Sequence, residues 1–308
     1  MTSARHLGLD LGGTQLKWAV VSSADGIWDR VATDLVPTRV DAGADGIIEQ
    51  LAETAAAAGA AWGPIASVGV GIPGRYDAAG GRVVMTPNIP VRWEGTHLVA
   101  RLEPILGVPV HLINDARAFT LAELRLGAGR GAQTVVGMTL GTGVGGGLAI
   151  HGALYLGLDG AAGEIGHQTI DPDGPLCNCG NRGCVEAFAR ADVIAATCGT
   201  TTVEEAVHAA AAGDARALDG LAQVGRYLGI GIANIVTVLT PDRVVVGGGV
   251  AAAGDILFAS VRAELERRVR MTGTGSVELV RAELGIWAGA IGAAIHGAEA
   301  GTGAPART

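Results

Sequence analysis

The chain has 308 residues, of which 49% are apolar and 17% are charged, and its formal net charge at pH 7 is −8. A chain of this length and balance can bury the core of one large domain or of two ordinary ones. The negative charge and the lack of lysine and arginine runs argue against nucleic acid or an anionic membrane as a partner, and the 50 glycines follow no three-residue period, which excludes collagen.

Hydrophobic periodicity and turn residues predict an alternation of strands and helices. In the first part of the chain, the predicted elements are strands 6–11, 16–22 and 30–36, helix 45–60, strand 66–72, helix 96–106, strand 108–113 and helix 115–126. The remainder predicts strands 134–140 and 144–151, helices 185–196, 203–212 and 215–239, strand 243–248, helix 255–270, strand 276–281, helix 286–299 and a disordered tail at 300–308. This alternation is typical of an α/β fold.

A unit made of a strand, a glycine turn and a second strand occurs near residue 10 and again near residue 140. The recurrence indicates two related halves. We expect residues 1–114, together with helix 286–299, to form a smaller α/β lobe. Residues 115–285 are then a larger lobe, with a cleft between the two.

The N-terminal sequence "MTSARHLGLDLGGT" lacks the basic region, apolar core and cleavage site of a signal peptide. The longest stretch without charge, 131–158, contains nine glycines and reads as strands and loops rather than as a membrane span. The sequence therefore predicts a cytoplasmic protein, in which disulfides are rare.

Three glycine turns each follow an apolar strand: "LDLGGT" (9–14), "LGTGVGGG" (140–147) and "VVVGGGV" (244–250). Glycine lets backbone N–H groups approach an anion, and a carboxylate such as Asp10 suits a hydrated magnesium ion. Each turn taken alone is also compatible with a plain tight turn. None matches the Walker A pattern, and the first strand is not followed by GxGxxG.

The segment "INDARAF" (113–119) places Asn114 and Asp115 between a strand and a helix. Asp115 is a candidate general base that takes a proton from a hydroxyl nucleophile, as phosphoryl transfer requires. The alternative is a helix N-cap without catalytic function.

Three of the four cysteines lie within eight positions, in the pattern His167-x9-Cys177-x-Cys179-x4-Cys184. One imidazole and three thiolates supply the four ligands of a closed, structural zinc site. A disulfide or a redox pair is the alternative, which the cytoplasmic location and the lack of C-x-x-C disfavour. Cys198 lies outside the pattern.

The motifs "LDLGGT", "NDA", "LGTGVGGG", "AGEIGH", "CNCGNRGCVE" and "VVVGGGV" occur in an order that resembles the ROK family of sugar kinases and related repressors. The resemblance covers residues 5–299 and is greatest to the bacterial glucokinases. It implies the actin-like, hexokinase-like fold of two α/β domains, with ATP and Mg²⁺ as co-substrates, a structural Zn²⁺ and a homodimer or homotetramer.

The resemblance also implies roles for individual residues. Asp115 is the implied catalytic base, and the implied zinc ligands are His167, Cys177, Cys179 and Cys184. The residues implied to bind sugar hydroxyls are Asn88, Asn114, Asp115, Glu164, His167 and Glu186. The residues implied to bind the nucleotide and its metal are Asp10, Gly12, Gly13, Thr14, Lys17, Gly141, Thr142, Gly143 and Gly248.

One departure from the family pattern is "NDARAF" where "NDANAA" is common. We expect Arg117 either to point to solvent or to reach a carboxylate or an anionic substrate. The sugar is therefore left open among glucose, mannose, fructose, N-acetylated amino sugars and other polyols, and polyphosphate is an alternative donor.

Two further classes of function are alternatives to a kinase. A sugar-sensing repressor of the same family needs about 60 or more residues of helix-turn-helix domain before the first strand, which here is predicted at residue 6. A non-catalytic zinc-bearing module is favoured only if Asp115 is absent, and it is present.

Overall fold

A computed structural model describes residues 3–24, 26–87, 89–271 and 277–301. Its strands are β1 (Ala4–Leu11), β2 (Gln15–Ala24), β3 (Ile27–Pro37), β4 (Ile65–Ile72), β5 (Arg75–Asp77), β6 (Arg82–Met85), β7 (Val110–Asn114), β8 (Val135–Leu140), β9 (Val144–Ile150), β10 (Ala153–Tyr155), β11 (Arg243–Gly247) and β12 (Glu278–Arg281). Its helices are α1 (Gly43–Trp62), α2 (Leu98–Leu106), α3 (Asp115–Leu126), α4 (Val185–Ala189), α5 (Ala191–Cys198), α6 (Val203–Ala211), α7 (Ala215–Leu239), α8 (Asp255–Arg268) and α9 (Ala288–Gly301). The α/β class is as predicted.

The chain divides into two compact units. Unit 1 runs to Arg130 and also includes residues 153–162 and helix α9, and unit 2 comprises residues 131–152 and 163–285. The division differs from the expected boundary at residue 115, because Ala118 of α3 shares one buried cluster with Ile113 of β7 and Ala293 of α9. Unit 1 is the larger of the two. Of the predicted disordered tail 300–308, residues 300 and 301 belong to α9 instead, and residues 302–308 lie outside the described residues.

The sheet of unit 1 has the strand order β3-β2-β1-β4-β7. The first three strands pair antiparallel, and β4 and β7 add in parallel. Apolar residues of β1 and β4, such as Leu9 and Val70, are fully buried against α1, which contributes Ile47 and Leu51. Their burial in one cluster holds this helix on the sheet.

Helix α9 packs closely on the same sheet because glycine leaves space there. A Cβ on Gly8 of β1 would lie 1.8 Å from the backbone oxygen of Ala290. Any larger residue at this position would push the helix away from the strand.

In unit 2, β9, β8, β11 and β12 lie in that order in one sheet. The β8–β9 pair is antiparallel, and β11 and β12 follow in parallel, so the topology repeats that of β2, β1, β4 and β7. The core joins β8 and β11 to helices α7 and α8. Helix α7 is long and apolar enough to cross a membrane by length and composition, but residues such as Leu228 and Ile232 are buried in this core.

Candidate functional site

The first glycine turn joins β1 to β2. The N–H of Gly12 donates to the carbonyl of Gln15 (3.0 Å), which closes the turn. Thr38, just after β3, donates its hydroxyl to the carbonyl of Gly12 (2.7 Å) and its N–H to the carbonyl of Thr14 (2.9 Å). The turn is thus fixed from a neighbouring strand, and Thr38 is a residue that the sequence did not single out.

Asp10 lies at the end of β1, opposite Lys17 on β2. Its carboxylate is 15% exposed, and Oδ2 is 3.9 Å from the Lys17 ammonium. Burial raises the pKa of Asp10, and the Lys17 charge opposes this shift. On the other side lies α9, where Gly289 leaves the carboxylate room: a Cβ there would be 2.5 Å from Oδ2. The acid and the turn that follows it are therefore rigidly placed within unit 1.

Asn114 and Asp115 occupy the junction of β7 and α3. Asn114 is the N-cap of α3: its Oδ1 accepts from the N–H of Ala116 (3.1 Å) and of Arg117 (3.2 Å). The N-cap of α3 is therefore Asn114 and not Asp115. Asp115 is the first helical residue, and its Oδ1 accepts from Asn114 Nδ2 (2.9 Å) and from the N–H of Ala116 (2.8 Å). These bonds orient a carboxylate that remains partly exposed.

Arg117 does not point to solvent, and that part of the expectation is wrong. The residue is 3% exposed, and its Nε donates to the backbone carbonyl of Ala162 (2.9 Å). Burial raises the pKa of Tyr76, and the charge of Arg117 opposes that shift, so the two side chains are near each other. Arg117 follows Asp115 by two residues on the same helix, about 200° around the helix axis, so its side chain lies on the opposite face and in the interior of unit 1.

The second glycine turn joins β8 to β9 in unit 2. The N–H of Gly141 donates to the carbonyl of Gly143 (2.9 Å). The third turn lies against it, because Gly248, with φ +90°, is placed so that a Cβ would be 2.1 Å from the backbone oxygen of Leu140. The predicted nucleotide residues Gly141, Gly143 and Gly248 are therefore neighbours, with Thr142 at the tip of the second turn.

The four predicted metal ligands form one cluster. A donor atom from each of His167, Cys177, Cys179 and Cys184 lies within 4.8 Å of the others. The Sγ atoms of Cys179 and Cys184 are 3.7 Å apart, as are Cys177 Sγ and His167 Nδ1. Donors of a tetrahedral zinc ion lie about 3.5–3.8 Å from one another, whereas a disulfide needs about 2.05 Å. The side chains fit zinc and not a disulfide.

The backbone of the cluster is fixed by its own turns. Cys177 N–H donates to the carbonyl of Asn181 (2.8 Å), and the N–H of Gly180 donates back to the carbonyl of Cys177 (2.9 Å). Burial raises the pKa of the Cys177 thiol to about 12, so a thiolate there requires a cation at neutral pH. Cys198 is buried in the core of unit 2, apart from the cluster.

Three of the predicted sugar-binding residues flank or belong to this cluster. The Nδ1 of His167 faces Cys177, whereas its Nε2 is 4.0 Å from Oε2 of Glu164. The arrangement leaves one imidazole nitrogen for a metal and the other on the side of Glu164. Glu186 is held differently: its Oε2 accepts from the N–H of Val144 (2.9 Å), and its Oε1 is 3.6 Å from Cys177 Sγ. Asn88 lies outside the described residues.

Comparisons with known proteins agree on one family. The model of the ROK family matches residues 6–298. The chain is 36% identical to the glucokinase of Thermotoga maritima, with 96% of this chain and 97% of that protein covered. The structure is similar to a ROK hexokinase from Thermus thermophilus (TM-score 0.86, 35% identity, coverage 97% and 99%). It is also similar to a ROK glucokinase from Streptomyces griseus, solved with glucose and AMPPNP (TM-score 0.80, 31% identity, coverage 96% and 100%). The hexokinase-like fold class predicted from the sequence is confirmed.

Proposed function

Because the chain belongs to the ROK family, we propose that it is a kinase that transfers the γ-phosphoryl group of ATP to a hydroxyl of a hexose, with the 6-hydroxyl of glucose as the first candidate. The observation that carries the proposal is the pair Asn114 and Asp115. Two hydrogen bonds fix Oδ1 of Asp115 at the start of α3, and the carboxylate is partly exposed. Such a group suits a general base.

In the proposed reaction, the Asp115 carboxylate accepts the proton of the sugar hydroxyl while the hydroxyl oxygen attacks the γ-phosphorus. The bond from the γ-phosphorus to the bridging oxygen breaks, and ADP leaves. Catalysis of this kind consists chiefly of positioning and of charge neutralisation. Magnesium, when bound, neutralises phosphate charge, and Asp10 would hold it through water.

The proposed nucleotide site uses the glycine turns, where the lack of side chains lets phosphate oxygens approach the backbone. The residues assigned to it are Asp10, Gly12, Gly13, Thr14, Lys17, Gly141, Thr142, Gly143 and Gly248. The residues assigned to the sugar are Asn88, Asn114, Asp115, Glu164, His167 and Glu186. Carboxylates, amides and an imidazole suit sugar hydroxyls because they both donate and accept hydrogen bonds.

Zinc at His167, Cys177, Cys179 and Cys184 is proposed to be structural, since all four positions of a tetrahedral ion are filled by protein. We also propose that the protein forms a homodimer or homotetramer and that it is located in the cytoplasm.

The proposal is tested by measuring ADP release with MgATP against a panel of hexoses, amino sugars and polyols. We expect turnover on glucose. Turnover on another sugar alone would support the same reaction with a pocket specific for that sugar. A parallel assay with polyphosphate in place of ATP tests the phosphoryl donor. Silence across the panel with the zinc-loaded protein contradicts the proposal and favours a non-catalytic sugar-binding protein.

A further inference from the structure

Helix α4 contacts both the cluster of four predicted metal ligands and the second glycine turn, which are far apart in the sequence of unit 2. It has five residues, begins directly after the metal donor Cys184, which is its N-cap, and ends at Ala189, with Arg190 as its C-cap. The N–H of Val185 donates to the carbonyl of Gln168 (3.0 Å), next to His167. The start of the helix is therefore held by the segment that carries the four metal donors.

The other contacts of α4 are with the second glycine turn. Oε2 of Glu186 accepts from the N–H of Val144 (2.9 Å), and a Cβ on Gly143 would lie 2.4 Å from the same oxygen. Just beyond the helix, the N–H of Ala191 donates to the carbonyl of Gly141 (2.9 Å). One end of the turn is thus bonded to Glu186 of α4, and the other end is bonded to Ala191, the first residue of α5.

The metal segment also contacts the turn directly. Oε1 of Glu186 is 3.6 Å from Sγ of Cys177, so one carboxylate spans a metal donor and the turn. Gly166, one residue before His167, lies so close to β9 that a Cβ there would be 1.9 Å from the backbone oxygen of Val144. A displacement of the metal donors is therefore transmitted to residues 141–144 through packed backbone and one carboxylate.

We propose that Glu186 is a positioning residue that couples the metal cluster to the phosphate-binding turn, so that zinc raises the affinity of the protein for nucleotide. The inference rests on the proposed function, in which this turn binds ATP. The proposal gives the metal a second function, in addition to positioning the proposed sugar-binding residues Glu164 and His167. By linkage, nucleotide must raise zinc affinity by the same factor.

The test measures binding rather than turnover. ADP affinity is determined by calorimetry for zinc-loaded and zinc-stripped protein, and zinc affinity is determined by competition with a zinc-selective chelator, with and without ADP. We expect zinc to strengthen ADP binding by about tenfold, and ADP to strengthen zinc binding by the same factor. Glu186→Ala should bring both ratios close to one. Asp173→Ala removes an exposed carboxylate of the same segment and should leave both ratios as in the wild type.

A second measurement covers the case in which zinc-stripped protein unfolds. In zinc-loaded Glu186→Ala, ADP binding should weaken while zinc content and the melting curve stay near those of the wild type. Equal ADP affinity in zinc-loaded wild type and zinc-loaded Glu186→Ala overturns the proposal, as does a folded zinc-free protein that binds ADP normally. If zinc-loaded wild type binds no ADP, the proposed function itself fails.

Discussion

Arg117 Nε donates a 2.9 Å hydrogen bond to the backbone carbonyl of Ala162, two residues before Glu164. Arg117 thereby links helix α3, which begins with Asp115, to the segment that leads to a proposed sugar-binding carboxylate. The residue that departs from the family pattern is thus an interior contact of unit 1.

Arg117→Met should lower the free energy of unfolding by about 2 kcal/mol, because it removes a buried hydrogen bond made by a charged donor. Urea unfolding measures the change. Arg101→Met is the control: that arginine pairs with Asp45 on the surface, and its loss should cost less than about 1 kcal/mol. Equal costs for the two variants would show that burial adds nothing to the Arg117 contact.

Asp115→Asn should retain sugar affinity and lower turnover by about 10²–10⁴, because the amide keeps an acceptor oxygen but takes up no proton. Steady-state kinetics with separate sugar titrations measure both effects. Asp255→Asn is a matched control, since Asp255 is likewise the first residue of a helix, α8. A near-normal rate for Asp115→Asn removes this carboxylate from the function of base.

Cys179→Ser should lose zinc and thermal stability together, because the four proposed donors would share one ion, whose binding energy would contribute to folding. Metal analysis and a melting curve on the same sample measure the two losses. Cys198→Ala should keep its zinc, since Cys198 lies in the core apart from the cluster. Full zinc content in Cys179→Ser would mean that the ion uses other donors.

Gly289→Ala should reduce turnover with little loss of stability, because the added Cβ would meet the Asp10 carboxylate at 2.5 Å and must displace it. Kinetics at several Mg²⁺ concentrations measure the effect on the proposed metal function of Asp10. Gly59→Ala, in α1, meets its nearest atom at 3.9 Å and should be neutral or stabilising by up to about 1 kcal/mol. Unchanged kinetics in Gly289→Ala would show that turnover does not depend on the position of the Asp10 carboxylate.

Stability should fall in mild acid because of His296 on α9. Burial lowers the pKa of this imidazole to about 4, and the charge of His111 on β7 adds to the shift. In the unfolded chain it titrates near 6.5, so the unfolded state takes up the proton first, and the contribution is fully present above about pH 6.5 and is lost as pH falls toward 4.

The expected loss of unfolding free energy between pH 7 and pH 5 is about 2 kcal/mol from His296 alone. Chemical unfolding at a series of pH values measures it. His296→Gln should flatten this part of the profile, whereas His208→Gln, an exposed change on α6, should not. An unchanged slope in His296→Gln would assign the acid sensitivity elsewhere.

The sequence predicted well where a pattern is long and periodic. The 25-residue helix α7 has its predicted bounds of 215–239, since a continuous apolar face determines it. The cluster of His167 with three cysteines was predictable because residues that commonly bind zinc lie close together in the sequence. The single helix predicted at 185–196 is instead α4 and α5, which meet at Arg190 in extended conformation. The break between the helices lets the N–H of Ala191 donate to the carbonyl of Gly141. No local sequence pattern indicates this tertiary contact.

Other features of the site depend on contacts between distant residues. Short strands β5 and β6 have three and four residues, too few for a periodic pattern. Thr38 fixes the first glycine turn across 26 positions, and Arg117 contacts Ala162 across 45. Both are ordinary polar residues in sequence, and only the folded chain brings them to their partners.

The position of α9 has a consequence for the order in which the chain can fold during synthesis. Unit 1 begins with β1, yet the backbone of α9, near Ala290, lies directly on Gly8 of that strand. During synthesis, one face of the unit 1 sheet therefore stays uncovered until residues 288–301 have been made. Residues 163–285 of unit 2 are complete before that point. Unit 1 therefore begins to form first and is completed last, so that apolar surface of its sheet stays exposed during most of synthesis.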